Sequence, residues 1–133
     1  MKARLIFLEI IKHFYLIQYM NCIFCSIANA NIPKHEIVWK NGMHIAFTDA
    51  HPVTIGHTLL IPKQHAESLE ELSETEHTAL FQSVRQVSTL LKEQYACNKM
   101  GLVVEGTSVA HLHIHLIPLQ QGETINGLVN KKH

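Results

Sequence analysis

Three histidines occupy alternate positions in the stretch AHLHIHLIP, which runs from residue 110 to residue 118. They are His111, His113 and His115. An imidazole can ligate a metal, attack an electrophile, transfer a proton or simply present a polar surface. Because successive side chains of a β-strand point to opposite faces, the three imidazoles are expected on one face. The apolar residues on the opposite face are expected to point into the core: Leu112, Ile114 and Leu116.

The spacing of these histidines limits the metal hypothesis. Side chains two positions apart on a strand lie about 6.5–7 Å apart, because each residue rises by about 3.3 Å. Zn–N bonds are about 2.0–2.1 Å long, so three successive histidines of a straight strand do not converge easily on one ion. A row of imidazoles is better suited to contacting successive groups of an extended polar substrate. A solvent-facing polar strand is the simpler alternative, but three histidines in register disfavour it.

The composition predicts one globular domain that does not bind nucleic acid or a membrane through a charged surface. The chain has 133 residues, of which 47% are hydrophobic, and its 11 Lys and Arg residues balance 11 Asp and Glu residues. No Lys/Arg-rich run is present, which argues against binding to nucleic acid or a membrane. Three cysteines, two of them in a Cys-x-x-Cys spacing, do not suggest a disulfide framework, so a cytoplasmic location is expected.

The first 19 residues differ from the rest. They are apolar but interrupted by Glu9, Lys12 and His13, and the run is too short to span a bilayer. No small-residue cleavage site for a signal peptide is evident. We expect residues 1–19 to form an amphipathic extension, with an alternative start at Met20, and residues 20–133 to form a single domain.

Hydrophobic periodicity predicts an α+β domain with a mainly antiparallel five-stranded sheet, one long helix and one short helix. The strands are expected over residues 36–40, 43–48, 57–62, 101–105 and 111–117. The pair Asn41-Gly42 predicts a type I′ turn between the first two. The short helix is expected near residues 23–29.

The long helix is expected over residues 74–96. Ser73 and Glu76 form a capping-box pattern at its start. Asn98 and Gly101 are the expected stop signals after its end.

The stretch HLHIHLIP resembles the signature of the histidine triad (HIT) family, in which His-x-His-x-His is followed by apolar residues. NCIFCSI at residues 21–27 is similar to the family's N-terminal segment, and IAFTDAHPVTIGHTLLIPKQH at residues 45–65 is similar to its central block. The resemblance extends over about residues 20–119. It implies an HIT-like fold, usually dimeric, in hydrolases and transferases that act on the α-phosphate of nucleotide conjugates.

The resemblance also implies catalytic roles for four histidines. His113 matches the nucleophile, and a neutral imidazole suits that role because its ordinary pKa is about 6.5. Attack on phosphorus would give a covalent nucleotidyl-histidine. His115 would contact the phosphate or the leaving group, His57 would face the same site, and His111 would orient the nucleophile through its backbone carbonyl.

Further positions match nucleotide-binding residues of the family. Asp49 matches the ribose-binding acid, and Ser108 precedes the triad where phosphate contacts are expected. An apolar slot for the base is expected from four residues, for each of which core packing is the alternative: Ile23, Phe24, Ile27 and Phe47.

The chain departs from the family pattern just before the triad. The loop in VVEGTSVAH is several residues shorter than usual, Thr107 stands where glutamine is frequent, and Glu105 lies near a position often held by asparagine. A carboxylate near a phosphate site repels substrate unless it points away or contacts the base or the leaving group. The departure therefore bears on the substrate more than on the reaction.

A structural zinc site is the expected cofactor site, with no organic cofactor. Cys22 and Cys25 have the spacing of half a zinc site, and some family members complete it with histidines that match His65 and His111. Two buried thiols without a metal are the alternative.

The sequence therefore predicts a hydrolase of nucleoside phosphoramidates or dinucleoside polyphosphates, with a purine nucleotide conjugate as substrate and a homodimer as assembly. Nucleotidyl transfer to another acceptor is one alternative, but that branch typically lacks the third histidine, here His115. A zinc-stabilised nucleotide-binding or regulatory module with little turnover is the other, and the altered loop at Glu105–Thr107 favours it.

Overall fold

The computed structural model describes residues 2–29 and 36–131 and confirms the α+β fold class. A 3₁₀ turn, Leu69–Glu71, precedes the long helix. The elements of the described part of the chain are, in order, α1 (Lys2–Met20), α2 (Ile23–Ala28), β1 (Ile37–Lys40), β2 (His44–Thr48), β3 (Thr58–Pro62), α3 (Glu74–Tyr95), β4 (Lys99–Glu105), β5 (His113–Leu119) and α4 (Ile125–Asn130).

The five strands form one antiparallel sheet in the order β1-β2-β3-β5-β4. Strands β3 and β5 are neighbours although about 50 residues separate them along the chain, so the loop before β3 lies beside the histidine strand. The register places Leu59 opposite His115. On the other side of β5, Glu105 lies opposite His113.

Different helices cover the two faces of the sheet. The alternation predicted for the histidine strand is confirmed, because Leu112, Ile114 and Leu116 are buried on the side of α3. Helix α3 contributes an apolar stripe at helical spacing to this layer: Leu80, Val84, Val87 and Leu91. Helix α2 covers the opposite face, where the buried cluster contains both cysteines of the Cys-x-x-Cys segment and the inner residues of β2 and β3.

The predicted type I′ turn is wrong. Neither Asn41 nor Gly42 has a positive φ angle, which that turn requires at both central residues. Instead the Asn41 Oδ1 accepts hydrogen bonds from the backbone N–H of Met43 (2.9 Å) and His44 (2.7 Å). The side chain of Asn41 thus closes the turn in place of the backbone.

The predicted start of α3 is confirmed, but its predicted stop signal Gly101 is wrong. The Ser73 Oγ accepts a hydrogen bond from the Glu76 N–H at 3.1 Å. The helix ends at Tyr95, and the following residue, Ala96, caps it in the left-handed conformation (φ 49°). Gly101 lies inside β4, where an added Cβ would come within 2.6 Å of Ile125 Cδ1. Gly101 therefore makes room for α4 rather than ending α3.

The structure contains two helices, α1 and α4, in addition to the one long and one short helix that were predicted. Helix α4 begins at Thr124, whose Oγ1 accepts a hydrogen bond from the Gly127 N–H at 3.1 Å. Helix α1 lies in the predicted N-terminal extension and leaves several large apolar side chains more than half exposed: Leu5, Ile6, Phe7, Ile10, Phe14 and Leu16. In the described part of the chain, no helix combines the length and the hydropathy needed to cross a bilayer.

Candidate active site and metal cluster

The three histidines of the motif separate into two groups. His111 lies just before β5, and its side chain faces Cys22 and Cys25. His113 and His115 lie on β5 with ring centroids 5.1 Å apart. His111 and His113 are 0% and 1% exposed, so the motif is not a solvent-facing polar strand.

Backbone contacts orient the ring of His113. Its Nδ1 lies 2.7 Å from the carbonyl oxygen of His111, which can only accept, so Nδ1 carries the hydrogen. The neutral ring therefore has its lone pair on Nε2. Phe24 holds the ring edge-on, with centroids 5.0 Å apart. The nitrogen directed into the site is thus Nε2.

A second chain of hydrogen bonds orients His115. The backbone N–H of Val53 donates to the Nδ1 of His57 at 3.1 Å, so the hydrogen of His57 is on Nε2. That Nε2 lies 2.9 Å from the Nδ1 of His115 and donates to it. The neutral His115 ring then carries its hydrogen on Nε2, directed toward His113 and Glu105.

Glu105 lies at the point where these rings converge. Its Oε1 is 2.7 Å from Ser108 Oγ, 2.9 Å from His113 Nε2 and 3.3 Å from His115 Nε2. The pKa of Glu105 is lowered, chiefly by the hydrogen bond from Ser108 and further by those from His113 and His115, against the opposing effect of burial. An ionised Glu105 accepts from His113 Nε2 only when that nitrogen is protonated, so this contact occupies the lone pair that would attack phosphorus.

Asp49 lies on the other side of His115. Its Oδ2 is 3.3 Å from His57 Nε2 and 3.8 Å from His115 Nδ1. Its Oδ1 accepts a hydrogen bond from the His51 N–H at 2.8 Å. Two carboxylates therefore flank the pair formed by His113 and His115.

The expected nucleotide-binding residues lie at different depths. Ser108 is at the site, with its Oγ 3.5 Å from His113 Nε2. Ile23 is 45% exposed and lines a cleft that also includes Ser108, Val109 and Ala110. The other three side chains of the expected apolar slot are buried in the layer beneath α2: Phe24, Ile27 and Phe47.

The expected zinc ligands form one cluster. The ligand atoms of Cys22, Cys25, His65 and His111 all lie within 4.8 Å of one another. Cys25 Sγ is 3.2 Å from His65 Nδ1 and 3.4 Å from His111 Nδ1. These separations match the edges of a tetrahedron with Zn–S bonds of about 2.3 Å and Zn–N bonds of about 2.0 Å.

The protonation of the cluster also suits a metal. The His111 Nε2 lies 2.8 Å from the carbonyl oxygen of Pro62, so Nε2 donates and the Nδ1 lone pair faces the thiols. Burial lowers the pKa of His111 to about 4, which keeps this ring neutral. Burial, followed by the neighbouring Cys22 thiol, raises the pKa of Cys25 to about 12; a bound metal would offset that penalty by stabilising the thiolate. The four residues thus fit a zinc ion, which would join α2 to the start of β5.

Glu105 is the site residue whose position the sequence left open. The sequence showed only that Glu105 departs from the family pattern near the phosphate site. It did not show which face of the sheet the side chain lies on. Only the pairing of β4 with β5 places it opposite His113. The backbone groups of Val53 and Pro62 carry no sequence signal at all.

Comparisons with known proteins find relatives of similar sequence. An uncharacterized HIT-like protein of Borreliella burgdorferi is 33% identical over 74% of this chain and 75% of its own length. An adenosine 5′-monophosphoramidase of Schizosaccharomyces pombe is 33% identical over 74% of both chains. A bis(5′-nucleosyl)-tetraphosphatase (asymmetrical) of the same yeast is 27% identical over 66% of this chain and 51% of its own length.

Solved structures share the fold. A member of the HIT family from Bacillus subtilis superposes with a TM-score of 0.71 at 27% identity, over 84% of this chain and 92% of its own. A zinc-bound histidine triad family protein from Mycobacterium smegmatis superposes with a TM-score of 0.69 at 25% identity, over 80% and 81% of the two chains. The model of the HIT domain matches residues 29–122, and with this match over most of its length the chain belongs to the HIT family.

Proposed function

We propose that the protein is a hydrolase that cleaves nucleoside phosphoramidates or dinucleoside polyphosphates at the α-phosphate, through a covalent intermediate on His113. The observation that carries this proposal is the orientation of His113, whose Nδ1 donates to the His111 carbonyl at 2.7 Å and leaves Nε2 facing Ser108 and Glu105. The two Schizosaccharomyces pombe relatives named for phosphoramidase and tetraphosphatase activities support the substrate class.

The reaction follows from the hydrogen positions. The Nε2 lone pair of His113 forms a bond to the α-phosphorus while the bond from phosphorus to the leaving group breaks. The Nε2–H of His115 gives its proton to the leaving atom. The Nε2–H of His57 faces the Nδ1 of His115 at 2.9 Å. It thereby keeps the hydrogen of the neutral His115 ring on Nε2. Water then attacks phosphorus and gives a proton to His115 while the bond from phosphorus to His113 Nε2 breaks. The mononucleotide leaves with the oxygen of water, and the His113 lone pair is restored.

Nucleotide binding is proposed for the residues around this centre. Asp49 would accept from the ribose hydroxyls, and Ser108 would donate to the phosphate. Ile23 would contact the base at the mouth of the apolar slot, with three buried side chains behind it: Phe24, Ile27 and Phe47. A zinc ion held by the Cys22, Cys25, His65 and His111 cluster would act structurally, because all four ligand positions come from the protein.

The test is turnover of adenosine 5′-phosphoramidate by wild type and by His113→Ala. Loss of the nucleophile should lower kcat by about 10⁴-fold or more, while AMP binding measured by calorimetry persists. His77→Ala is the matched control, since His77 lies exposed on α3, away from the site. The proposal fails if wild-type protein turns over neither this compound nor diadenosine tetraphosphate.

One alternative is supported by a specific observation. Glu105 occupies the Nε2 of His113 at 2.9 Å, as expected for a nucleotide-binding module with little turnover. The same assay separates the two functions, because that module would bind AMP without turnover in wild type. Nucleotidyl transfer would instead appear as an AMP conjugate of an added acceptor.

A homodimer is part of the proposal. Edge strand β4 presents Leu102 and Val104, which are 45% and 39% exposed, and apolar side chains on a sheet edge are typical of interfaces. Sedimentation velocity distinguishes a dimer from a 15.1 kDa monomer.

A further inference from the structure

The position of Glu105 relative to the reacting atoms has a consequence for the leaving group. One oxygen, Oε1, contacts the three groups that the proposed reaction assigns to the phosphate and the leaving atom: Ser108 Oγ, His113 Nε2 and His115 Nε2. A bound α-phosphate must take the place of this oxygen at His113. The carboxylate must therefore move for catalysis to begin.

The backbone restricts how far the carboxylate can move. Glu105 is paired with His113 in the sheet, so its Cα is fixed beside the nucleophile. The next residue, Gly106, packs so closely against the Glu67 carbonyl that a Cβ would overlap with it. Glu105 can therefore yield its position only by rotating its side chain, which is 31% exposed. Because its Cα is held opposite His113, its negative charge stays within one side-chain length of the site.

In the described part of the chain, no lysine or arginine forms an ion pair with this carboxylate. Within residues 2–29 and 36–131, the ion pairs of Glu105 and Asp49 are all with histidines. A nucleoside polyphosphate leaving group would bring further negative charge to two carboxylates in a partly buried site, where screening is weak. An ammonium group on the leaving amine would instead meet a complementary charge.

We propose that Glu105 selects the leaving group by charge and makes the protein prefer nucleoside phosphoramidates of cationic amines over dinucleoside polyphosphates. This inference rests on the proposed hydrolase function and specifies its substrate class. Glu105 acts here as a specificity residue, and the nucleophile and the proton donor remain His113 and His115. Specificity would come as much from repulsion of the wrong leaving group as from attraction of the right one.

The test uses three AMP phosphoramidates of similar length that differ in the charge of the leaving amine. They are made from 1,3-diaminopropane, propylamine and β-alanine, so the end distant from phosphorus is an ammonium, a methyl group or a carboxylate. We expect wild-type kcat/KM to decrease in that order. In Glu105→Gln the ratio between the cationic and the anionic compound should fall at least about tenfold, and diadenosine tetraphosphate should gain relative to adenosine 5′-phosphoramidate.

Two further variants isolate the charge at this position. Glu105→Asp keeps the charge on a shorter side chain and should keep the cation preference. Glu93→Gln removes one negative charge from an exposed position of α3 and should leave the ratio unchanged. Each ratio is measured on one preparation, so it does not depend on the fraction of protein that is folded.

The outcomes separate this inference from the function on which it rests. If wild type turns over all three compounds and Glu105→Gln leaves their ratio unchanged, the selectivity proposal is overturned while the hydrolase function stands. If wild type turns over none of them, and neither adenosine 5′-phosphoramidate nor diadenosine tetraphosphate, the hydrolase function itself is overturned.

Discussion

At the scale of single residues, His113 and His57 differ in the backbone group that contacts the ring nitrogen facing away from the site. The His113 Nδ1 donates to a backbone carbonyl, and the His57 Nδ1 accepts from the backbone N–H of Val53. These contacts assign each ring one tautomer, because a carbonyl only accepts and an amide only donates. Once Glu105 has moved away from His113 Nε2, the two nitrogens directed at a substrate thus differ: His113 offers a lone pair, and His115 offers a hydrogen.

This difference predicts how His115→Ala depends on the leaving group. Without the Nε2–H of His115, an amine must leave from phosphorus without its proton. We therefore expect kcat/KM for adenosine 5′-phosphoramidate to fall by about 10²-fold or more. The 4-nitrophenyl ester of AMP should lose less than about tenfold, because 4-nitrophenolate leaves without a proton.

Steady-state kinetics of both substrates with wild type and His115→Ala provide the measurement. His77→Ala, on the exposed face of α3, is the control for a lost histidine elsewhere. Equal losses on the two substrates would show that His115 contacts phosphate without acting as a proton donor.

Glu105 illustrates the limit of residue-level prediction. The sequence identified it as a departure from the family pattern near the phosphate site, but it did not decide whether the carboxylate points in or away. That depends on pairing between β4 and β5, a non-local contact that places Glu105 opposite His113. The chemistry of the residue was therefore predictable, whereas its partners were not.

At the scale of elements, prediction succeeded where a local pattern determines the structure. Period-two alternation identified both faces of β5, and the Ser73 cap fixed the start of α3. It failed where a tertiary contact overrides the local signal. Gly101 predicts a helix stop by its local position, but it is needed inside β4 because Ile125 of α4 packs against it.

The cap of α3 gives a prediction at this scale. In Ser73→Ala the Glu76 N–H loses its 3.1 Å hydrogen bond to the side chain. An N-cap of this kind is worth about 1 kcal/mol, so Tm should fall by roughly 3–6 °C. Differential scanning calorimetry gives the change directly.

Thr78→Ala is the matched control for the cap, because Thr78 is an exposed residue within the same helix. Alanine has the higher helix propensity, so stability should stay equal or rise slightly. A Tm for Ser73→Ala equal to that of wild type would mean that another group caps the helix in solution.

At the scale of the whole molecule, one face of the sheet carries both the candidate active site and the metal cluster, and His111 connects them. Its side chain faces the thiols, while its carbonyl oxygen accepts from the His113 Nδ1 at 2.7 Å. A metal bound by the cluster would therefore fix the backbone that orients the nucleophile. Stability and turnover should depend on the same ion.

Metal analysis of protein purified without added metal tests this coupling. We expect about one zinc per chain in wild type and close to none in Cys25→Ser, measured by plasma mass spectrometry. Because four protein ligands make zinc binding a large contribution to folding, Tm should fall by about 10 °C or more in Cys25→Ser and in chelator-treated wild type. Cys97→Ala is the control, since Cys97 is a buried free thiol outside the cluster, and this variant should keep its zinc.

Turnover of adenosine 5′-phosphoramidate per folded molecule should fall along with zinc content, because His113 loses its fixed carbonyl partner. A wild-type protein without zinc, equally stable with and without chelator, would instead leave Cys22 and Cys25 as two buried thiols beneath α2.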